Sequence, residues 1–260
     1  MDAIGNNRSE NPQQNANGLP ARVADVVGEV SASAEKPSQS RPPALVARQA
    51  LARITRRGAH FAGRGLRSGI RRLTAEVIVM APRLPVRDQA ALRAQFPGRS
   101  PEDVADALIE GASRASAAVG ATVGVWSVLP IAPAFPAEIV TETLTLVGIE
   151  IKLIAELHEV YGMRPPGDFA SRMTAYVGAW ARRRGVARAP GGVALAGSPL
   201  GRQLQRRLAV RATRSAVSLG PLLTGATAGA LINRRETRRL GNDVREHLRR
   251  SSPITTHWPA

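Results

Sequence analysis

Residues 221–240 read PLLTGATAGALINRRETRRL, an apolar run with two glycines four residues apart, followed by an asparagine and four arginines. The whole of 215–233 carries no charge. Glycines at this spacing lie on one side of a helix and let a second helix backbone approach closely. The stretch therefore predicts a tight helix–helix contact, either in the core of a soluble protein or within lipid.

Residues 100–124 supply the other half of the predicted contact. Ser100 suits a helix N-cap, Pro101 suits the first helical position and Asp103 adds an acid in the first turn. From there small side chains recur every four residues, at Ala112, Ser116, Gly120 and Gly124. We predict that this stripe packs against Gly225 and Gly229 of the later run.

The uncharged run 115–137 is 23 residues long, which is enough to span a bilayer. However, three prolines at 130, 133 and 136 should end the helix near residue 129 and turn the chain. The pattern predicts a buried or re-entrant hairpin, with a return helix that begins near Pro136 and ends at Gly162.

The return helix, AEIVTETLTLVGIEIKLIAELHEVYG at 137–162, has a polar side and an apolar side. At about 100° per residue its acids and its lysine, with one exception, fall in one arc, which we expect to be solvated. The exception is Glu150, which falls on the apolar side. Because a buried carboxylate needs a partner, we predict that Glu150 meets an arginine or Asn233 of the C-terminal half and fixes how the two hairpins dock. An internal salt bridge or a shifted helical phase would also explain its position.

The chain is predicted to be all-α, with helical hairpins packed through Gly/Ala stripes. Residues 1–42, rich in Asn, Gln, Ser, Pro and Glu, are typical of a disordered tail. Residues 43–85 have many arginines and one acid, and predict a basic amphipathic helical segment. Residues 86–250 form the main helical domain, including a short helix from Asp168 to Gly185 and a solvated, highly charged helix after residue 233. Residues 251–260 are expected to be a loose tail.

Few residues suggest catalysis or metal binding. The chain has no cysteine, and its four histidines are not at metal-ligand spacing. No nucleophile elbow or phosphate-binding glycine loop is present, so neither a cofactor nor a metal is predicted and an enzyme is the less favoured class. Glu138 and Glu142, one turn apart, could share a cation or divide acid and base roles. A solvated face near a helix N-terminus is the simpler interpretation.

The net charge of +16 and the sequence pI near 11.7 indicate an anionic partner. Anionic membrane lipid or a membrane protein fits best, while nucleic acid is the alternative. Aromatic residues are only 3% of the chain, which provides little for base stacking. The strong preference for arginine over lysine is also what a GC-rich genome would produce. Because residues 1–14 lack the order of a secretory signal, we expect the cytoplasmic side of the cell membrane, with peripheral or re-entrant attachment.

Three segments in order resemble the EcsC family: AAVGATVGVWSVLPIAPAFPAE at 117–138, IAELHEVYG at 154–162 and LGPLLTGATAGALINRRETRRL at 219–240. The resemblance covers about residues 100–250, and its middle part matches poorly. It implies an all-helical bacterial protein that is membrane-associated and accessory to transport, secretion or envelope machinery. It carries over no catalytic residue. A lipid-acting enzyme using Glu138, Glu142 and Glu150 remains a further alternative.

Overall fold

A computed structural model of the chain describes residues 18–36, 41–57, 75–126, 135–184 and 222–251. These ranges are helical and contain no strand, so the predicted all-α class is confirmed. The seven α-helices named in this article are α1 (Leu19–Glu35), α2 (Pro43–Arg57), α3 (Gln89–Gln95), α4 (Pro101–Trp126), α5 (Phe135–Val160), α6 (Phe169–Arg183) and α7 (Leu222–Ser251). Between α2 and α3, residues 75–80 are helical and lead into a 3-10 turn, Ala81–Arg83.

Local sequence signals set several helix ends. At the start of α4 the Ser100 hydroxyl accepts from the Asp103 N–H at 3.2 Å, and the Asp103 carboxylate accepts from the Ser100 N–H at 3.3 Å. Asp168 caps α6 by accepting from the Ser171 N–H at 2.8 Å. The chain leaves α5 at Gly162, whose φ of 65° is unfavourable for any residue with a side chain. These predicted boundaries are confirmed, while the predicted proline turn at 127–134 lies outside the described residues.

Helix α5 is the centre of the molecule. It contacts every one of the other six named helices, and from Leu144 onward most of its aliphatic side chains are buried. The core around it is one continuous cluster that includes Val27 of α1, Leu51 of α2, Leu108 of α4 and Leu248 of α7. A helix whose side chains are buried around most of its circumference needs several neighbours, and the other six named helices supply them.

The disordered tail predicted for 1–42 is wrong for residues 19–35, which form α1. Val23, Val27 and Val30 repeat at helical spacing and are fully buried. At Gly148 of α5 an added Cβ would lie 2.7 Å from the Val27 side chain, so α1 lies directly against the central helix. The apolar patch at 23–30 is short, but the groove beside α5 completes its burial. Residues 1–17 lie outside the description.

The basic segment 43–85 is helical over 43–57 and 75–80, while 58–74 lies outside the described residues. It is amphipathic as predicted: Ala47, Ala50 and Ile54 are buried and Arg48 is exposed. Yet α2 packs on α1, α4 and α5, inside the same core as the rest. The predicted boundary at residue 85 between a basic segment and a separate helical domain is therefore not a boundary between cores.

Helix α7 runs unbroken for 30 residues and lies antiparallel to α4. The prediction that the helix after residue 233 is solvated is wrong for one side of it. One stripe of α7 is buried against α4 and the core. This stripe consists of Asn233, Thr237, Leu240, Val244 and Leu248. Their spacing of three and four residues makes a continuous buried edge within a sequence dominated by charge. Residues 252–260, the predicted C-terminal tail, lie outside the description.

Candidate functional site: buried charge clusters around helix α5

The polar arc of α5 is buried, contrary to the expectation of a solvated face. Four of its charged residues are buried, and Glu156 is only 2% exposed; they are Glu142, Lys152, Glu156 and Glu159. The sequence interpretation assumed that one side of the helix met water, whereas α5 is in contact with all six of the other named helices. Charges in such a position must be paired and hydrogen-bonded. The structure shows two clusters that do this.

The Glu150 cluster joins three helices. Glu150 of α5 is 7% exposed, and its Oε2 accepts from the Trp180 indole Nε1 at 2.8 Å and from Arg184 Nε at 3.1 Å. Arg184 Nη2 donates to Glu150 Oε1. The Thr237 hydroxyl of α7 lies 3.3 Å from the same Oε1. Both carboxylate oxygens are thus occupied by partners from α7 and from the C-terminal end of α6.

Arg184 is the connecting residue of the Glu150 cluster. Besides Glu150, its guanidinium donates to the Glu236 carboxylate at 3.0 Å. Burial opposes its charge, but attraction and hydrogen bonds from Glu150 and then Glu236 outweigh burial and raise the pKa of Arg184. The predicted pairing of Glu150 with a basic residue of the C-terminal half corresponds to this ion pair. Trp180 is a buried core residue whose indole N–H donates to Glu150.

The predicted partner Asn233 lies near the Glu150 cluster and is linked to it through Ser116 and Thr237. It is 2% exposed, and its Nδ2 donates to the Ser116 carbonyl at 3.3 Å. One turn later, the Thr237 hydroxyl is 2.9 Å from Ser116 Oγ. Since a hydroxyl has one proton, Ser116 can donate to Thr237 while Thr237 donates to Glu150. Asn233 and Glu150 therefore belong to one polar layer that joins α4, α5 and α7 through Ser116 and Thr237.

The Arg87 cluster lies on the other side of α5. The Arg87 guanidinium donates to both oxygens of Glu156, at 2.8 and 2.7 Å, and to both oxygens of Glu35 in α1, at 2.6 and 2.7 Å. Gln95 of α3 accepts from Arg87 at 2.6 Å and donates to Glu35 at 2.9 Å. Lys152 forms an ion pair with Glu156 one turn away. Two bidentate contacts from one arginine tie α1 to the centre of the fold.

Charge pairing sets the ionisation of this cluster. Burial alone would favour the neutral form of Glu156, but Lys152 and Arg87 together outweigh burial and lower the pKa of Glu156. For Arg87 the burial penalty is likewise outweighed, by the hydrogen bonds and attraction of Glu156 and Glu35, and its pKa is raised. Arg87 and Glu156 are therefore both charged at neutral pH. Sequence reasoning missed Arg87, since it lies in the irregular stretch 84–88 with no helical phase to mark it.

The acidic pair Glu138 and Glu142 is only partly described. Glu142 is 3% exposed, so the simpler interpretation of a solvated face is wrong for this residue. The side chain of Glu138 lies outside the described residues. Among the side chains that the structure describes, no group of acids and histidines is arranged to hold a metal ion.

Two of the predicted packing residues, Gly120 of α4 and Gly229 of α7, bring the two helix backbones into close contact. A Cβ added at Gly120 would lie 2.6 Å from the Gly229 carbonyl oxygen and 2.5 Å from Asn233 Nδ2. A Cβ added at Gly229 would lie 2.9 Å from the Gly120 carbonyl oxygen. Ser116 belongs to the same contact through its bonds to α7, and Ala112 is partly buried against the core. The surroundings of Gly124 and Gly225 lie outside the described side chains.

A row of ion pairs borders the contact between α4 and α7. Glu110 pairs with Arg234 at 2.7 Å and also with Arg238, Asp106 pairs with Arg245, and Glu102 lies 3.4 Å from Arg249. This row uses four arginines of the helix that was predicted to be solvated and highly charged. Half-exposed pairs of this kind contribute little stability each, but they fix the register of two long helices.

Within the described ranges, no helix combines the length and the apolar character that crossing a bilayer requires. In comparisons with known proteins, no family model, no curated protein and no solved structure matches the chain, so the resemblance to the EcsC family stays a prediction.

Proposed function

We propose that this chain is a non-enzymatic, EcsC-like helical protein that attaches peripherally to an anionic membrane on its cytoplasmic side. There it would act as an accessory to a transport, secretion or envelope process. Its direct partner would be anionic lipid or a membrane protein that presents acidic groups. Catalysis has no place in this proposal.

The distribution of charge carries the proposal. Many described acids are engaged with arginine or lysine inside the fold or between helices, as at Glu150, Glu156 and Glu110. Residues 58–74 and 185–221, by contrast, contain ten arginines and no acid. Exposed arginines of the described ranges, such as Arg235 and Arg239, have no acidic partner there. The field outside the molecule is therefore positive, and it would attract anionic headgroups at about 1 kcal/mol for each arginine near the surface.

The contacts of Glu150 support a structural role over a catalytic one. A general base needs a free oxygen within hydrogen-bond reach of its substrate. Both oxygens of Glu150 accept from protein donors, and the side chain is buried. We assign the Glu150 cluster to holding α5, α6 and α7 together.

We further propose that the small-residue stripes act as a continuous glycine zipper between α4 and α7. The close approach at Gly120 and Gly229 supports this. The ends of the zipper would be Ala112 at one side and Gly124 with Gly225 at the other. Such packing would give the membrane-attached protein a rigid pair of helices.

Fractionation of cells that express the full chain tests the proposed attachment. We expect recovery with the membrane fraction at low salt and release by a carbonate wash, as for a peripheral protein. A chain recovered entirely in the low-salt supernatant would refute the proposal. A gel shift with nucleic acid at physiological salt, in the absence of vesicle binding, would favour the nucleic-acid alternative.

A further inference from the structure

The outward side of α7 combines exposed aliphatic side chains with arginines. Leu231 is 65% exposed and Ile232 is 53% exposed, the first and third most exposed large apolar side chains that the structure describes. Arg235 and Arg239 are exposed next to them. At about 100° per residue these four positions fall within an arc of roughly 100°, opposite the buried edge of the helix. We call them the α7 outer face.

The two arginines of the α7 outer face differ from the other arginines of the helix. Arg234 and Arg238 pair with Glu110, Arg245 with Asp106, Arg249 with Glu102 and Arg250 with Glu246. Arg235 and Arg239 have no acidic partner within the described ranges. The same arc contains Glu246, whose charge is matched by Arg250. The outer face therefore keeps a net positive charge where the flank beside α4 does not.

We propose that the α7 outer face is the surface that seats on an anionic lipid bilayer, an inference that rests on the proposed peripheral attachment. Leu231 and Ile232 would enter the boundary between headgroups and acyl chains. Arg235 and Arg239 would extend their long side chains to the phosphates. The helix would lie in the plane of the membrane surface, with its buried edge still on α4.

The chemistry of the face selects lipid over nucleic acid. Single-stranded nucleic acid is held by aromatic side chains that stack on bases. The α7 outer face presents branched aliphatic groups instead, which gain by leaving water for acyl chains. Two arginines then add attraction to anionic headgroups and none to zwitterionic ones.

Co-sedimentation of the full chain with phosphatidylglycerol-containing vesicles tests the inference through two double variants. Arg235→Gln with Arg239→Gln should weaken binding roughly 30-fold, because each arginine near an anionic surface contributes about fivefold. Leu231→Ser with Ile232→Ser should weaken it roughly tenfold, even at salt that screens the arginines. Arg48→Gln with Arg99→Gln removes the same charge from α2 and from the loop before α4, and serves as the matched control. Circular dichroism confirms that each variant is folded.

A fluorescence measurement reports insertion directly. The chain has no cysteine, so Ile232→Cys offers a single position for an environment-sensitive dye. Its emission should shift to the blue with anionic vesicles and stay unchanged with phosphatidylcholine vesicles. The same dye at Ala175→Cys, an exposed position on α6, should not respond.

The outcomes separate the two proposals. If the wild-type chain binds and the α7 variants bind as the Arg48/Arg99 control does, the inference about α7 is wrong and peripheral attachment stands. If the wild type binds no vesicle, both proposals fail. Preferential binding of the wild type to single-stranded nucleic acid, with the same loss in the Arg235/Arg239 variant, would also overturn the lipid assignment.

Discussion

Glu150 illustrates at the scale of one residue what can be predicted from sequence. Its position breaks the polar phase of α5, and this alone indicates a buried carboxylate with a partner. The partner could not be chosen, because nine arginines lie between Trp180 and Arg214 without an acid among them. The structure selects Arg184 because the end of α6 lies beside α5 and Glu236 of α7 reaches it as well. Pairing depends on where helices cross, which local periodicity does not contain.

We predict that Glu150→Gln destabilises the fold by about 3 kcal/mol, because it leaves the Arg184 guanidinium buried with less compensation. Chemical denaturation of the wild type, of each single variant and of the double variant Glu150→Gln/Arg184→Gln measures this. The double variant should lose less than the sum of the two single losses. An unchanged melting temperature in Glu150→Gln would refute the role of this ion pair in docking the helices.

His158 supplies a pH-dependent prediction. Its Nδ1–H donates to the Ile154 carbonyl at 2.7 Å, and burial, aided by the nearby Arg183 and His247, lowers its pKa below the ordinary 6.5. The unfolded chain therefore binds a proton at a higher pH than the folded chain. Stability contributed by neutral His158 is present above pH 6.5 and is lost as the pH falls toward its lowered pKa. His158→Gln should make the melting temperature depend less on pH below 6.5, and an identical dependence would contradict this account.

At the scale of the helices, the capping residues and the glycine at a helix end could be predicted from sequence. Which helix faces are buried by neighbouring helices could not. Ser100, Asp168 and Gly162 carry local signals, and each marks a helix end in the structure. Helix α1 was missed because its small valine and alanine side chains form only a weak pattern of their own. Burial against α5 decides its fold, and that requires the tertiary neighbour. In turn, α1 contributes to the burial of the polar arc of α5, because its Glu35 shares Arg87 with Glu156.

The contact between α4 and α7 leads to a paired glycine prediction. Gly120→Ala should cost about 1–3 kcal/mol, since its Cβ would meet the Gly229 backbone, which cannot swing aside. Gly178→Ala on α6 is the matched control, because its Cβ would meet only the flexible end of Arg182, at 3.4 Å. That control should gain roughly 0.5–1 kcal/mol from helix propensity. If denaturation gave both substitutions the same sign, the close contact would not be the reason for glycine at position 120.

At the scale of the whole molecule the net charge is +16, and within the described ranges this charge is sorted: the buried groups around α5 are paired, while arginines such as Arg235 and Arg239 are exposed. The sign and size of the net charge were evident from composition, and they indicated an anionic partner. Which arginines of α7 remain without an acidic partner in the described ranges was not evident, because that depends on which side of the helix faces the acids of α4. The function proposed here depends on this sorting and on no single catalytic group.

The binding of the full chain to vesicles over a range of salt tests this account most directly. We predict binding to phosphatidylglycerol-containing vesicles at low salt, a steady loss as salt screens the exposed arginines, and no binding to phosphatidylcholine vesicles. Equal affinity for both vesicle types, or no binding to the anionic vesicles at low salt, would contradict the account.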